Sequence, residues 1–209
     1  MSNNIDNYGW RTADGPCSCS FVAPKVVQIL KELGIRSVVD VGCGNGALCS
    51  ILNGQGLRVV GVECDKKGCL LARQTYPHVP FYNVGVYDSP NSIIAIEGRS
   101  FDCVVSTEVI EHLYSPQCLP AFAVQLLAPS GHLVISTPYH GYLKNLALSL
   151  FDHWDAHHSA LWEGGHIKFW SRKTLTRLLE QNGFRVVKFY GVGRFPFLWK
   201  SMIILAQKV

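Results

Sequence analysis

The feature that most constrains the fold is a repeated alternation of short apolar segments with segments of helical periodicity. The segment Ser37–Val41 (SVVDV) is β-branched and almost wholly apolar, which is typical of a strand that is buried on both faces. Four more strands are predicted, at residues 58–62, 79–84, 101–106 and 132–136. The helices predicted around them span residues 26–33, 46–52, 66–75 and 116–127. Repeated strand–helix–strand units predict a parallel sheet with helices on both faces.

The pattern changes towards the C-terminus. An amphipathic helix is predicted over residues 172–182, followed by strands at 184–190 and 202–207. The connection between these strands is too short for a helix and contains Gly191, Gly193 and Pro196, which favours an antiparallel pair. The sequence therefore predicts an α/β fold, a doubly wound and mostly parallel seven-stranded sheet with a C-terminal antiparallel strand pair.

One segment does not fit the alternation. Residues 139–170 contain five of the eight histidines and three of the five tryptophans. An insertion of this length is usually functional or disordered, and its aromatic content favours a cover over a substrate. With about 100–200 residues per domain, the 209 residues are predicted to form a single domain, 1–209, in which residues 1–20 are an N-terminal extension.

Composition excludes several classes of protein. Hydrophobic residues make up 48% of the chain and charged residues 16%, which argues against disorder. The formal charge of +4 comes without a dense Lys/Arg run, so nucleic acid is not an expected partner. We also expect no transmembrane segment, because no apolar stretch approaches the roughly 20 residues that span a bilayer. A signal-peptide pattern is missing, and the eight cysteines favour reduced thiols and a cytoplasmic location.

A glycine-rich loop follows the first predicted strand and precedes a helix. Its distinctive residues are Asp40, Gly42, Cys43, Gly44 and Gly46. Glycines permit a tight turn and let a ligand approach main-chain N–H groups at a helix N-terminus. Glu63 ends the second strand, where a carboxylate can accept hydrogen bonds from both ribose hydroxyls of an adenosine. The combination predicts an adenosine pocket at the carboxyl edge of the sheet.

The loop by itself is ambiguous. Gly42, Gly44 and Ala47 also satisfy the GxGxxG/A pattern of dinucleotide dehydrogenases. The charge of Asp40, however, disfavours a pyrophosphate and suits an amino-acid ammonium. The chain is too short for a separate dehydrogenase substrate domain. The antiparallel strand pair at the C-terminus also argues against a dinucleotide dehydrogenase. A glycine turn without a ligand is the remaining alternative.

Three segments resemble, in order, the successive motifs of class I S-adenosylmethionine-dependent methyltransferases: VVDVGCGNG, GVECD and FDCVVSTEVIEHL. The similarity extends from about Val38 to the C-terminus. This resemblance implies a Rossmann-like methyltransferase fold and S-adenosylmethionine as the cofactor. It implies that the glycine loop contacts the methionyl part and that Glu63 contacts the ribose. The remaining implied cofactor-binding residues are Cys64, Val86, Tyr87, Asp88, Thr107 and Glu108. The segment GVYD, which contains Val86, Tyr87 and Asp88, departs from the GDA-like sequence that many relatives have at this position. In the N-terminal extension, Tyr8 and Trp10 are candidates to fold over the cofactor.

A cluster of polar residues follows the fourth predicted strand. Glu108, Glu111 and His112 are spaced i, i+3 and i+4, so they share one face of a helical turn. Two carboxylates and an imidazole suit a hard or borderline divalent cation. A general base, or acidic residues favoured at the start of a helix, would produce the same pattern.

ExxEH is similar to a signature of ubiquinone-type O-methyltransferases and small-RNA 2′-O-methyltransferases. In those families a downstream histidine completes a metal site. The resemblance implies that His166, in GGHIKFWSR, joins Glu108, Glu111 and His112 as a ligand of Mg, Mn, Fe or Zn. Glu111, His112 and His166 are also the predicted catalytic residues, and without a metal either histidine would accept the proton of the acceptor.

The rest of the insertion is assigned to the cover. Histidines 140, 153, 157 and 158 are predicted to be solvated or covering residues rather than ligands. An apolar wall for the acceptor is predicted from the aromatic residues Tyr139, Tyr142, Phe151, Trp154 and Trp162.

The predicted function is transfer of a methyl group from S-adenosylmethionine to a small-molecule acceptor, most simply a hydroxyl oxygen. The alternatives are a metal-dependent RNA 2′-O-methyltransferase, a C- or N-methyltransferase of a natural product or lipid-like substrate, and a non-catalytic adenosine-binding module. The apolar stretch 195–199 (FPFLW) is compatible with peripheral membrane contact, a dimer contact or packing of the cover.

Overall fold

The computed structural model describes residues 9–10, 12–98, 100–158, 161–162 and 164–209, with only the backbone of Ala156. Tyr8 therefore lies outside the described residues. The strands are β1 (Ser37–Val41), β2 (Arg58–Val62), β3 (Phe81–Tyr82), β4 (Phe101–Thr107), β5 (Leu127–Pro138), β6 (Phe184–Val192) and β7 (Ser201–Lys208). They form one sheet in the order β3-β2-β1-β4-β5-β7-β6.

The pairing of the strands confirms the predicted fold. β1 pairs in parallel with β2 and β4, and the parallel arrangement continues to β3 on one side and β5 on the other. β7 is antiparallel to both β5 and β6. The sheet is therefore mostly parallel, with an antiparallel C-terminal pair at one edge.

Helices cover both faces of this sheet. They are α1 (Cys19–Glu32), α2 (Ala47–Asn53), α3 (Lys66–Thr75), α4 (Asn91–Glu97), α5 (Cys118–Leu126), α6 (Tyr142–Leu150), α7 (Trp154–His158) and α8 (Arg172–Gln181). Val39 and Val41 belong to one buried cluster, with residues of α4, α5 and α8. Val38, on the other face of β1, packs with residues of α1, α2 and α3. The β-branched strands are thus buried on both sides, as parallel strands usually are.

Several elements differ from their predicted bounds. β3 has two residues rather than the predicted 79–84, because the Val79 N–H donates to the Tyr76 carbonyl oxygen in a turn and Pro80 has no N–H to donate. β5 is longer than 132–136. α1 starts at Cys19 and includes Pro24, and α4 was not predicted. No helix among the described residues is long and apolar enough to cross a membrane.

The order of the strands determines where a ligand can bind. From β1 the chain proceeds to β2 on one side, whereas β4, the other neighbour of β1, is followed by β5. The carboxyl ends of β1 and β4 therefore flank a topological switch point, the usual position of a ligand crevice in such sheets.

Candidate active site

A cavity of about 560 Å³ lies at the carboxyl ends of β1, β2 and β4. Its volume is in the range of small-molecule and cofactor sites. Eight of the predicted cofactor-binding residues line it: Asp40, Gly42, Cys43, Glu63, Cys64, Val86, Thr107 and Glu108. Val22 and Ala23 of α1 add apolar wall on one side, and Trp162 and His166 add to the wall from the insertion.

The N-terminal segment is tied to the glycine loop. The Asn45 side-chain amide donates to the carbonyl oxygens of Thr12 at 2.9 Å and Asp14 at 2.7 Å. Trp10 lines the cavity and packs directly on Gly44, where an added Cβ would overlap the indole ring. Trp10 therefore lies at the cavity wall against the glycine loop, and its contact with a bound cofactor stays a prediction. Gly44 and Gly46 are the two predicted loop glycines that do not line the cavity. Gly46 immediately precedes α2 and has a left-handed backbone conformation.

We expect Gly44→Ala to weaken binding of S-adenosylhomocysteine about tenfold, because the new methyl group displaces Trp10. The backbone φ of Gly44 is 55°, so alanine strains the backbone by about 1–2 kcal/mol in the free and the bound protein alike. A tenfold loss of affinity corresponds to about 1.4 kcal/mol, which lies within the cost of about 1–3 kcal/mol for overpacking. Gly34→Ala is the matched control, since Gly34 has a φ of +65° with open space around its Cα. Titration calorimetry of both variants measures the difference. Equal affinities in the two variants would show that the Trp10 contact is irrelevant to the cofactor.

Asp40 is a buried carboxylate in the cavity wall. Its Oδ2 accepts a hydrogen bond from the Cys49 thiol at 3.3 Å, whereas Oδ1 is buried and has no hydrogen-bond partner among the described residues. Burial, together with the charge of Glu63, raises the pKa of Asp40 to about 7. A buried carboxylate with a spare oxygen is suited to a positively charged ligand group.

Glu63 links the end of β2 to the glycine loop. Its Oε2 accepts from the Gly44 N–H at 2.7 Å, and its Oε1 accepts from the Asp65 N–H at 2.8 Å. Burial raises the pKa of Glu63, and these backbone hydrogen bonds oppose the shift. The neighbouring Cys64 thiol donates to Oε1 at 3.4 Å. The carboxylate is therefore held in a fixed orientation at the cavity wall.

The three residues predicted near the adenine edge have different positions. Val86 lines the cavity. The Tyr87 hydroxyl instead accepts from the Ser115 N–H at 3.2 Å, and the side chain is 53% exposed. Asp88 accepts from the Gly85 N–H at 2.8 Å and stabilises the turn that contains Val86. Tyr87 and Asp88 are thus not among the residues that line the cavity, although Asp88 holds Gly85, which does line it.

Glu108 is held by the strands next to it. Its backbone has a φ of 55°, a strained conformation for a residue other than glycine. Its carboxylate accepts from the Ser136 hydroxyl at 2.7 Å and from the Ser201 hydroxyl at 3.1 Å. Burial raises the pKa of Glu108 to about 7, and these hydrogen bonds oppose the shift. Both of its oxygens are therefore directed towards β5 and β7.

Glu111 is buried at the turn Ile110–His112. Its Oε2 accepts from the Thr137 hydroxyl at 3.0 Å, and its Oε1 is buried with no hydrogen-bond partner among the described residues. Burial and the nearby charge of Glu108 raise the pKa of Glu111 well above its usual value. A cation beside Oε1 would offset the cost of this buried charge.

The geometry around His112 fixes its tautomer. Its Nδ1 lies 2.7 Å from the Gly164 carbonyl oxygen. A carbonyl only accepts, so Nδ1 carries the proton and Nε2 has the lone pair. Nε2 lies 3.9 Å from Glu111 Oε1. This is the arrangement in which metal-binding histidines usually occur, with the second ring nitrogen donating to a carbonyl.

His166 reaches the same place from the other end of the insertion. The Glu111 carbonyl oxygen accepts from the N–H groups of Ile167 at 2.9 Å and Lys168 at 3.0 Å. This connection brings the His166 ring to 5.0 Å from the His112 ring, centre to centre. One ligand atom from each of Glu111, His112 and His166 falls in a group no wider than 4.8 Å. The structure thus brings together three of the four predicted metal ligands and leaves Glu108 outside the group.

The residues that orient the two carboxylates were not predicted from the sequence. Ser136, Thr137 and Ser201 are buried and lie at the adjoining ends of β5 and β7, where Pro138 pairs with Ser201 in the antiparallel ladder. Hydroxyl residues at the ends of otherwise apolar strands (ISTP and KSMII) are the signal that could have identified them. Their partners, however, depend on the pairing of strands far apart in sequence.

The remaining residues of the insertion divide into two groups. Of the predicted aromatic wall, Trp162 lines the cavity, whereas Tyr142 and Phe151 are exposed and Tyr139 packs on Trp199. His140 is buried rather than solvated, and its ring packs against other aromatic rings of the insertion. The segment therefore contributes to the site mainly through Trp162 and His166.

Fold and site together define an α/β protein with a cavity at the carboxyl edge of its sheet, beside a carboxylate–histidine cluster. A family model for a methyltransferase domain matches residues 19–188. The ubiquinone biosynthesis O-methyltransferase of Roseobacter denitrificans is 30% identical over 196 residues, which cover 88% of this chain and 77% of that protein. That of Bradyrhizobium diazoefficiens is 29% identical over 176 residues, 82% of this chain and 67% of that protein.

One further sequence relative and one solved structure are also similar to this chain. The human mitochondrial ubiquinone biosynthesis O-methyltransferase is 30% identical over 170 residues, 79% of this chain but 45% of that protein. A magnesium protoporphyrin IX methyltransferase from Synechocystis with bound SAH has the same fold, with a TM-score of 0.66 and 19% identity, covering 90% of this chain and 82% of the other. The chain belongs to the methyltransferase-domain family and is a class I S-adenosylmethionine-dependent methyltransferase.

Proposed function

We propose that this methyltransferase acts on a hydroxyl oxygen of a small aromatic acceptor. The observation that carries the proposal is the group of Glu111, His112 and His166 beside the cofactor cavity. Curated relatives named ubiquinone biosynthesis O-methyltransferase support an oxygen acceptor. The apolar surfaces of Val109, Leu113 and Trp162 in the cavity wall support an aromatic one.

The cofactor is held by the residues of the β1 and β2 ends. Asp40 pairs its spare carboxylate oxygen with the ammonium of the methionyl part. Glu63 accepts hydrogen bonds from the ribose hydroxyls, since each carboxylate oxygen has more than one lone pair. Cys64 and Val86 lie beside the adenine, and Trp10 covers the loop. Thr107 lies between this pocket and the acceptor side, at the end of β4.

The acceptor hydroxyl has to lose a proton as its oxygen takes the methyl group. Burial lowers the pKa of both His112 and His166, the latter to about 4. Both rings are therefore uncharged at neutral pH and can accept this proton. When no cation is bound, Nε2 of His112 is the accepting atom, because Nδ1 is held by the Gly164 carbonyl oxygen.

The same three residues fit a divalent cation. Two imidazoles and a carboxylate are a common donor set for Fe or Zn and suit Mn better than Mg, which prefers oxygen ligands alone. The buried Glu111 Oε1 lacks a hydrogen-bond partner among the described residues. We propose Glu111, His112 and His166 as the ligands. A bound cation would lower the pKa of the acceptor hydroxyl. All eight cysteines are free and four of them are buried, which supports the predicted cytoplasmic location.

The test is incubation with S-adenosylmethionine and catechol, followed by mass spectrometry of the product. We expect a mono-O-methylated product, and His112→Ala should lower kcat by about 10²–10⁴, the usual contribution of general base catalysis. His78→Ala is the matched control, because His78 is exposed and lies on the α3–β3 connection. Methylation of nitrogen or carbon nucleophiles but not of catechol would refute the proposal.

A further inference from the structure

The two histidines of the site are oriented in different ways. The His112 ring is fixed by a hydrogen bond, because its Nδ1–H donates to the Gly164 carbonyl oxygen at 2.7 Å. The half-buried His166 ring receives no hydrogen bond from the described part of the chain. The torsion that rotates an imidazole is broad and roughly two-fold. Packing against neighbouring side chains must therefore set the orientation of the His166 ring.

Aromatic contacts supply this packing. The indole of Trp162 lies 6.2 Å from the His166 ring and 5.7 Å from the His112 ring, centre to centre. The two imidazoles are 5.0 Å apart, so each of the three rings contacts the other two. The planes of these pairs are inclined by 66°, 80° and 69°, which is the edge-to-face arrangement that aromatic pairs favour. Rotation of the His166 ring would lose both of its edge-to-face contacts.

The indole is held beside the imidazoles by a turn that is tied to the site. The Trp162 carbonyl oxygen accepts from the Gly165 N–H at 3.0 Å, and Gly164 between them has a φ of 82°. The Gly164 carbonyl oxygen is the group that accepts from His112. Trp162 is 46% exposed and also lines the cavity. The indole therefore covers the two imidazoles where the cavity meets solvent.

We propose that Trp162 is a positioning residue that fixes the orientation of the His166 ring. In this orientation one His166 nitrogen lies within 4.8 Å of a ligand atom of Glu111 and of His112. The inference rests on the proposed function, because it takes that nitrogen to be a metal ligand or a proton acceptor. Without the indole the ring would sample more than one orientation, and the nitrogen would spend part of its time turned away from Glu111. Sites of this kind depend on supporting contacts that lock the rotamer of each ligand.

The test replaces the indole by an apolar side chain that has no ring. Trp162→Leu should lower the affinity for Mn²⁺, measured by titration calorimetry, about tenfold, which is within the range that two edge-to-face contacts account for. The kcat for catechol should fall by a similar factor, while KM for S-adenosylmethionine stays unchanged. Trp162→Phe should recover most of both losses, because a phenyl ring retains the edge-to-face contacts.

Trp154→Leu is the matched control. Trp154 belongs to the same insertion, is 42% exposed, and stacks at 4.5 Å on the ring of His158. The substitution therefore removes a similarly exposed indole from a different histidine. This variant should retain the Mn²⁺ affinity and the kcat of the wild type.

NMR of the histidine rings separates this inference from the proposed function, because it requires neither a metal nor an acceptor. In the wild type, nuclear Overhauser effects should connect the Trp162 indole with the His166 ring, whose signals the His166→Ala variant identifies. Trp162→Leu should shift these signals, and its affinity for S-adenosylhomocysteine establishes that it is folded.

Three results would overturn the positioning role of Trp162. They are missing Overhauser effects in the wild type, unshifted His166 signals in Trp162→Leu, and a Trp162→Phe variant no better than Trp162→Leu. If Trp162→Leu shifts the His166 signals but the wild type neither binds Mn²⁺ nor methylates catechol, the proposed function fails and the orientation by Trp162 stands. If Trp162→Leu methylates catechol at the wild-type rate, the reverse holds.

Discussion

Asp40→Asn should bind S-adenosylhomocysteine about 100-fold more weakly than the wild type and yet be more stable without ligand. The Asp40 carboxylate is buried, and its Oδ1 has no hydrogen-bond partner among the described residues. In the unliganded protein its charge is a cost, whereas in the complex it pairs with the ammonium of the ligand. Loss of a buried charge pair typically costs several kcal/mol. Calorimetric titration and thermal unfolding measure the two effects.

The effect on stability should depend on pH with a definite sign. The pKa of Asp40 is raised from the usual 3.8 to about 7 by burial, so the folded state binds a proton more tightly than the unfolded state. The protonated Asp40 carboxyl contributes its full stabilisation of the folded state below about pH 4, and this contribution is lost as the pH rises to about 7. Asp40→Asn should therefore gain up to about 4 kcal/mol over the wild type at pH 8, and the gain should shrink towards pH 4.

The ligand affinity should show the opposite trend. Below about pH 7 the wild-type carboxyl is protonated and pairs poorly with an ammonium, so S-adenosylhomocysteine should bind more weakly there. The variant should lack this dependence. Asp102→Asn is the matched control, because Asp102 accepts backbone hydrogen bonds from Arg36 and Ser37 at the other end of β1. A variant of Asp40 that binds as tightly as the wild type at pH 8 would exclude the ammonium contact.

The parts of the fold that the sequence predicts well are those determined locally. β1, β2 and α3 have the predicted bounds, because runs of β-branched residues and an Asp N-cap carry their own signals. Glu63 is placed correctly because it immediately follows such a run. β3 is shorter than predicted because the turn at Val79 and Pro80 competes with the pairing of an edge strand.

The parts that the sequence does not predict depend on contacts between distant segments. Glu108 shares a helical spacing with Glu111 and His112, but its carboxylate faces Ser136 and Ser201, since the antiparallel pairing of β5 with β7 places their hydroxyls there. Lys144 of α6 is buried, which could not be inferred from an ordinary helical pattern. In physical terms, strand pairing and the path of the insertion decide which polar side chains meet.

His166 illustrates the difference between resemblance and structure. A family signature implies its role, because His166 lies 54 positions after His112 and no local pattern connects the two. The two backbone hydrogen bonds that the Glu111 carbonyl oxygen accepts from residues 167 and 168 explain how the gap is closed. Residues inserted between Trp162 and His166 should therefore separate the two histidines and leave the glycine-loop side of the cavity unchanged.

Glu111→Gln should abolish divalent-cation binding and lower kcat by about 1,000-fold while the protein remains folded. Glutamine keeps the shape of the side chain and can still accept a hydrogen bond from the Thr137 hydroxyl. It removes the ionisable carboxyl group, whose pKa is raised by burial and by the charge of Glu108. The variant should therefore unfold at a higher temperature than the wild type. Its affinity for S-adenosylhomocysteine should be unchanged, because Glu111 lies outside the cavity lining defined by Asp40 and Glu63.

The measurement is calorimetric titration of Mn²⁺ into wild type, Glu111→Gln and His166→Ala, alongside turnover of catechol before and after a chelator. We expect one Mn²⁺ site in the wild type, no detectable site in either variant, and activity that a chelator removes and Mn²⁺ restores. His78→Ala controls for adventitious binding by an exposed imidazole. Undiminished turnover in the chelator together with an absent Mn²⁺ site would remove the metal and leave His112 as the proton acceptor. In that case Glu111→Gln should change kcat only a few-fold, because the role of Glu111 would reduce to orienting the His112 ring across the 3.9 Å that separates Nε2 from Oε1.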